Sequence, residues 1–224
     1  MTPQGAPTPV ENRWQRPGEG AHYAAGRFRS KRARERDPRL VARLIRSLAG
    51  QGGSVASILD VPCGTGRLRG GTMTAVGTGG VLPNWTGVDV SHEMLTQVNA
   101  EGAALVRASA DALPFPDRSF DLVLCCRLLH HLPEAGQRRA VLAELARVGQ
   151  RYVIASYWDA SSYQAWRRRT KGVLRRKGRA ETRRAVEWDV LCGEIEECGM
   201  RVLGRAHSLR FVSQQAFFVA EILG

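Results

Sequence analysis

The sequence predicts a doubly wound α/β fold, a seven-stranded sheet whose last two strands form an antiparallel closing pair. Three observations carry that expectation. Short apolar runs alternate with helix-patterned segments from about residue 38 onward. The first run, Ile58-Leu-Asp-Val-Pro-Cys-Gly-Thr-Gly66, passes from an apolar strand through an acid into a glycine turn. The fourth, Phe120 to Cys126, is almost continuously apolar, as strands of a parallel sheet covered on both faces are.

Each element has its own signal. Leu40, Val41, Leu44, Ile45 and Leu48 recur at helical spacing, which predicts an amphipathic helix from Pro38 with Asp37 as its N-cap. Gly50-Gln-Gly-Gly53 ends it, and Val55 to Val61 is the first strand. Thr72 to Pro83 is rich in Gly and Thr where a parallel pair needs a crossover, so either a short helix or a flexible insertion stands there. Trp85 to Val90 is the second strand, and Ser91 caps a helix through Asn99 with Met94, Leu95 and Val98 on one face. Leu105 to Ala108 is the third strand and Phe120 to Cys126 the fourth, followed by a helix from about Glu134 to Val148. Tyr152 to Tyr157 is the fifth strand. Glu187 to Cys198 reads as a helix stopped by Gly199, and Met200 to His207 with Phe211 to Leu223 as the antiparallel pair.

A chain of 224 residues fits one domain with a substantial core plus a tail. Residues 1–20, rich in Pro, Gly and Gln and lacking the apolar centre of a signal peptide, read as a disordered arm. Residues 21–224 form the domain, with a basic insertion at about 160–186. No apolar run approaches the ~20 residues needed to span a bilayer. Five cysteines, with no Cys-x-x-Cys pair, support neither a disulfide framework nor a zinc site, so a cytoplasmic setting and no metal are expected. The net charge of +12 favours phosphate-bearing partners or anionic membrane surfaces. Ten Lys or Arg against the single acid Glu181 fall between Trp166 and Arg184. Interleaved with Tyr163, Trp166, Val173 and Leu174, they form a stretch that can lie on an anionic membrane or contact RNA phosphate.

The chemistry gathers at strand ends. Gly64 and Gly66 permit positive φ and close backbone approach to a ligand, and the helix that follows presents unpaired N–H groups. A dinucleotide fingerprint is incomplete, because Leu68-Arg-Gly70 puts the third glycine one place late. Asp60, facing that turn, disfavours a pyrophosphate and favours an ammonium. Asp89, in Gly87-Val-Asp-Val-Ser91, can accept both hydroxyls of a ribose, and Asp111 can accept from an exocyclic amine such as that of adenine. Val90, Met94 and Leu113 can sandwich a flat base. Together these residues describe a ligand with an amino acid at one end and adenosine at the other, which is S-adenosylmethionine.

With those residues in view, the chain resembles the class I S-adenosylmethionine-dependent methyltransferases, of the group that includes ubiquinone and menaquinone biosynthesis enzymes. The resemblance rests on Leu59-Asp-Val-Pro-Cys-Gly-Thr-Gly66, Gly87-Val-Asp-Val-Ser-His-Glu-Met-Leu95, Ala110-Asp-Ala-Leu-Pro-Phe115 and Phe120 through Leu132. It implies a Rossmann-like sheet and cofactor contact by Asp60, Gly64, Gly66, Asp89, Val90, Met94, Asp111, Ala112 and the backbone near Cys126. It also implies a lid before the first helix, where Tyr23 and Arg27 stand and Arg27 can meet the cofactor carboxylate. His130 and His131, after the fourth strand, are candidate general bases. Two departures stand out: Arg147-Val-Gly-Gln-Arg151 replaces the usual Pro-Gly-Gly turn, and no Asn-Pro-Pro-Tyr follows the fourth strand. The expected activity is methyl transfer to a small-molecule or lipid-like acceptor. RNA methylation and cofactor binding without catalysis are the alternatives.

Overall fold

The computed structural model describes residues 31–48, 55–77, 81–99, 101–167, 184–209 and 212–224. Helix α1 (Lys31–Leu48) leads into β1 (Ser57–Asp60), α2 (Arg69–Val76), β2 (Asn84–Asp89), α3 (His92–Leu95) and β3 (Ala104–Arg107). Then come β4 (Phe120–Cys125), a 3-10 turn (Leu129–His131), α4 (Ala135–Val148) and β5 (Gly149–Trp158). Helix α5 (Trp188–Glu197), β6 (Met200–His207) and β7 (Gln215–Ile222) complete the order.

The strands form one seven-stranded sheet in the order β3-β2-β1-β4-β5-β7-β6. Neighbours from β3 to β5 are parallel, whereas β7 is antiparallel to both β5 and β6. The expected sheet and its antiparallel closing pair are therefore present. Successive residues of each strand feed opposite cores. Ile58, Leu122, Ile154 and Phe217 pack toward Val41, Leu44, Ile45 and Leu48 of α1. Leu59, Val123, Val153 and Phe218 pack toward Leu142, Leu145, Leu191 and Ile195 of α4 and α5. On that second face Arg138 of α4 bonds both carboxylate oxygens of Glu194 on α5 (2.8 and 2.5 Å). The same guanidinium donates to the carbonyls of Leu132 and Pro133.

Local readings needed correction at two places, and the open reading at Thr72 resolves to its first alternative. Helix α1 starts at Lys31 rather than at Pro38, so Asp37 is not an N-cap. Good helix formers upstream, with an ion pair between Glu35 and Arg39, carry the helix through the proline despite its missing N–H. Ser91 precedes α3 but makes no side-chain cap bond, and α3 is a single short turn. The crossover at Thr72 is a short helix, α2, packed on α1 where Gly71 meets Pro38. Residues 1–20, Tyr23, Arg27 and 168–183 lie outside the described residues.

Candidate cofactor site

Strand β1 sits between β2 and β4, so the chain reverses its direction of travel across the sheet at the β1–β4 boundary. Open α/β sheets bind ligands in the crevice outside the carboxyl ends of strands at such a switch point. Asp60 ends β1, Asp89 ends β2, and Cys126 directly follows β4. Three of the residues singled out in the sequence thus converge on one rim.

The glycine turn after β1 is held from both sides. Cys63 N donates to Val88 O (2.8 Å), and Gly64 N donates to Asp89 Oδ2 (2.9 Å). Gly64 and Gly66 take φ of 56° and 74°, the left-handed region that disfavours a side chain. At Gly66 a Cβ would come within 2.8 Å of Val98 Cγ1. Glycine at 66 lets the turn pack this closely on Val98, just after α3.

Asp60 is wholly buried, and among the described residues neither carboxylate oxygen has a hydrogen-bond partner. Burial pushes its pKa up to about 8; Arg67 opposes the rise and Asp89 adds to it. An orphaned buried carboxyl is costly in the ligand-free chain. Asp89 differs: Oδ2 accepts from Gly64 N, and Oδ1 accepts from Ser91 N (2.9 Å). Burial raises its pKa, and those backbone bonds hold it down. Each oxygen keeps a second lone pair for a ligand hydroxyl.

The residues expected from the sequence at an adenine edge follow β3. Asp111 is exposed and accepts from Ser109 Oγ (2.5 Å), beside a bridge between Ser109 and Ala112. Met94 and Leu113 are buried, and Val90 is half-buried. The loop from Leu113 to Asp117 is pinned by α4, because Glu144 accepts from Leu113 N (2.8 Å). Arg147 donates to the carbonyls of Leu113 and Phe115 and to Asp117. This binding role accounts for the arginine in the departed Pro-Gly-Gly segment.

His130 and His131 are both buried. His130 stacks on Trp158 (centroids 4.3 Å apart, 10° between planes) and lies against His131. Cys126 is buried, its thiol pushed up to about 12 by burial, and Ser156 Oγ lies 3.9 Å from its sulfur. Burial likewise raises the Cys63 and Cys125 thiols, so none is an activated nucleophile.

Two clusters carried no sequence signal. Asp37 of α1 is buried, and its Oδ2 receives Arg67 (3.0 Å) from the glycine turn and Arg127 (2.7 Å) from after β4. Arg127 has φ of 66° and donates its N–H to Ser156 Oγ (2.7 Å). Beyond β5, Asp159 Oδ2 pairs with His207 Nε2 (2.7 Å), and Oδ1 accepts from Ser161 N and Oγ. Burial pushes the Asp159 carboxyl up, but the bonds from His207 and Ser161 outweigh it and leave it below its ordinary value. Spacing in sequence hints at neither cluster, since the partners lie 30 to 90 residues apart.

The family described as "Methyltransferase domain" matches residues 58–151, the stretch from β1 into β5 that carries the crevice. In that stretch the chain is similar to the class I S-adenosylmethionine-dependent methyltransferases. It is 27% identical over 143 residues to the 27-O-demethylrifamycin SV methyltransferase of Amycolatopsis mediterranei, covering 62% of this chain and 52% of that one. It is 30% identical over 107 residues to the ubiquinone/menaquinone biosynthesis C-methyltransferase of Hahella chejuensis, covering 46% and 43%. The chain spans 35% to 52% of the length of the curated relatives it matches. Its fold is similar to magnesium protoporphyrin IX methyltransferase of Synechocystis PCC 6803, solved with bound SAH. That likeness has a TM-score of 0.73 at 15% identity and covers 95% of this chain and 98% of the other. Among the described residues no helix is long and apolar enough to cross a membrane, and no cluster of three or more His, Cys, Asp or Glu is placed to hold a metal ion.

Proposed function

We propose that this chain is a methyltransferase that binds S-adenosylmethionine in the switch-point crevice and passes its methyl group to a small-molecule or lipid-like acceptor. The observation that carries the reading is Asp60: a wholly buried carboxyl with no hydrogen-bond partner among the described residues, beside a glycine turn and one strand from Asp89. A cationic ammonium is the complement such a group lacks. The residues present therefore fit the methionine end of the cofactor. When bound, that cofactor supplies an electrophilic methyl group on a sulfonium.

The chain's own residues bind and orient. Asp60 takes the ammonium, and the turn from Cys63 to Gly66 brings backbone close to the methionine moiety. Asp89 accepts the ribose hydroxyls, held in aim by Gly64 N and Ser91 N. Asp111 and the backbone at Ala112 read the adenine edge, between Val90, Met94 and Leu113. Methyl transfer then depends mainly on holding the acceptor atom in line. His130 or His131 receives the acceptor's proton, with Trp158 fixing the imidazole plane of His130. The names of two similar proteins, a rifamycin and a porphyrin methyltransferase, support an extended organic acceptor rather than a polymer.

Calorimetric titration with S-adenosylmethionine tests the cofactor half, and micromolar binding is expected. Formation of S-adenosylhomocysteine with lipid and small-molecule extracts, compared with RNA, tests the acceptor half. Turnover with RNA alone overturns the acceptor class.

A further inference from the structure

Gln215 opens β7 opposite Trp158, the last residue of β5. Because β7 runs antiparallel to β5, that position lies on the same sheet edge as the carboxyl ends of β1, β4 and β5. Gln215 precedes Phe217 by two residues and so shares its face, the side of the sheet that α1 covers. Trp158 stacks on His130, the proton acceptor of the proposed reaction. His130, Trp158 and Gln215 therefore stand in a row along the rim.

Three of the four polar groups of Gln215 are engaged. Its N–H donates to Ser213 Oγ (3.1 Å), and its carbonyl accepts from Ser208 N (2.9 Å). Trp158 Nε1 donates to the side-chain oxygen (3.2 Å). An indole N–H is a donor only, so this bond fixes which end of the carboxamide is oxygen. The Nε2 end is buried without an acceptor among the described residues, on a residue only 6% exposed. A buried donor left in that condition is costly. Asp60 is the corresponding acid on β1, three strands away in the sheet. Three strand spacings of ~4.8 Å separate the two backbones by about 14 Å. Gln215 thus serves a different group from the ammonium that Asp60 would hold.

We propose that Gln215 is a specificity residue of the acceptor site, its Nε2 donating to a carbonyl oxygen of the methyl acceptor. This rests on the methyl-transfer reading above and names the chemistry of the acceptor. A neutral amide among buried side chains selects a neutral oxygen, whereas a phosphate or carboxylate calls for a charged donor such as a guanidinium. One indole separates Gln215 from His130, so the carbonyl lies close to the atom that is methylated. The acceptor class is a small ketone, quinone, lactone or amide.

NMR titration of the isotope-labelled full chain, with S-adenosylhomocysteine present, tests this. Acetophenone should shift the side-chain amide signals of Gln215. Ethylbenzene, a similar ring without the oxygen, should bind about tenfold more weakly and leave them in place. Gln215→Met removes the donor at similar length and should weaken acetophenone binding by about tenfold. Its affinity for S-adenosylmethionine, read by calorimetry, should be unchanged. Acetophenone that leaves the Gln215 signals unmoved overturns the proposal. So does equal affinity for the two probes, or a larger shift with uridine than with acetophenone. The probe comparison uses the unaltered chain, so it decides even where Gln215→Met does not fold. A chain that makes the acetophenone contact but fails to bind S-adenosylmethionine would refute the cofactor reading and leave this one standing.

Discussion

Asp37 and Arg127, 90 residues apart, meet through two contacts to one carboxylate oxygen, Nε at 2.8 Å and a terminal nitrogen at 2.7 Å. Arg67 reaches the same oxygen from the glycine turn. One buried acid thereby links α1 to both loops that frame the crevice. Arg127 makes this contact from a left-handed backbone conformation that costs a non-glycine residue about 1 kcal/mol. Helix α1 is thus tied to the loops of the candidate site and is not merely a cover for the sheet.

Asp37→Ala should leave two guanidiniums facing one another without their shared acid. Removing one partner of a buried pair costs about 3–5 kcal/mol, and the partly exposed arginines reduce that to about 2–3 kcal/mol. Cofactor affinity should fall with it, since the glycine turn loses an anchor. Urea denaturation and calorimetry measure the two effects. A variant with an unchanged midpoint and unchanged affinity would show the cluster to be ornamental.

Asp89→Ala removes the acceptor for Gly64 N and Ser91 N as well as the proposed ribose contact. Loss of charge-assisted bonds worth about 3 kcal/mol predicts about a 100-fold weaker dissociation constant for S-adenosylmethionine. Asp89→Asn keeps one acceptor oxygen and should lose less. Equal affinity for all three proteins would remove Asp89 from the site.

The acids of the crevice were legible because each sits where an apolar run stops, and in a parallel sheet those stops share one edge. The doubly wound sheet and its antiparallel closing pair followed from the same alternation. Asp37 was misread because local rules for Asp-Pro at a helix start are sound, but here packing and upstream helix formers overrode them. Its arginine partners obey no period, and neither does the His207–Asp159 pair. Arg147 was seen only as a departure from a turn pattern, while its hydrogen bonds to the Leu113–Asp117 loop exist only once α4 has packed. Contacts fixed by tertiary packing leave no spacing to read.

Glu194→Ala isolates such a contact. It strands the buried guanidinium of Arg138, which otherwise makes two bonds to the carboxylate. A loss of about 3–5 kcal/mol is expected, a fall in melting temperature of about 10 °C for a chain of this size. Glu197→Ala, which breaks only the exposed pair with Arg139, should shift stability by less than about 0.5 kcal/mol. Thermal melts of the two variants side by side decide it, and equal shifts would refute the burial argument.

Asp60 makes the pH dependence of the ligand-free chain and of cofactor binding one problem. Burial raises its folded pKa to about 8 from an ordinary value of 3.8. Between those limits the folded chain holds a proton that the unfolded chain has released, so this group's contribution is fully present below about pH 4 and lost as pH rises toward 8. Asp60→Asn cannot ionise, so the wild-type chain should lose stability relative to it between pH 5 and 8; parallel denaturation curves would contradict the assignment. A cationic ammonium beside the carboxyl reverses the preference, because it stabilises the ionised form. Binding at about pH 6.5 should therefore expel up to about one proton from Asp60 in the wild-type protein, and almost none in Asp60→Asn. Calorimetry in two buffers of different ionisation enthalpy reads that number directly. Proton release unchanged by the substitution would mean that the ammonium is met elsewhere.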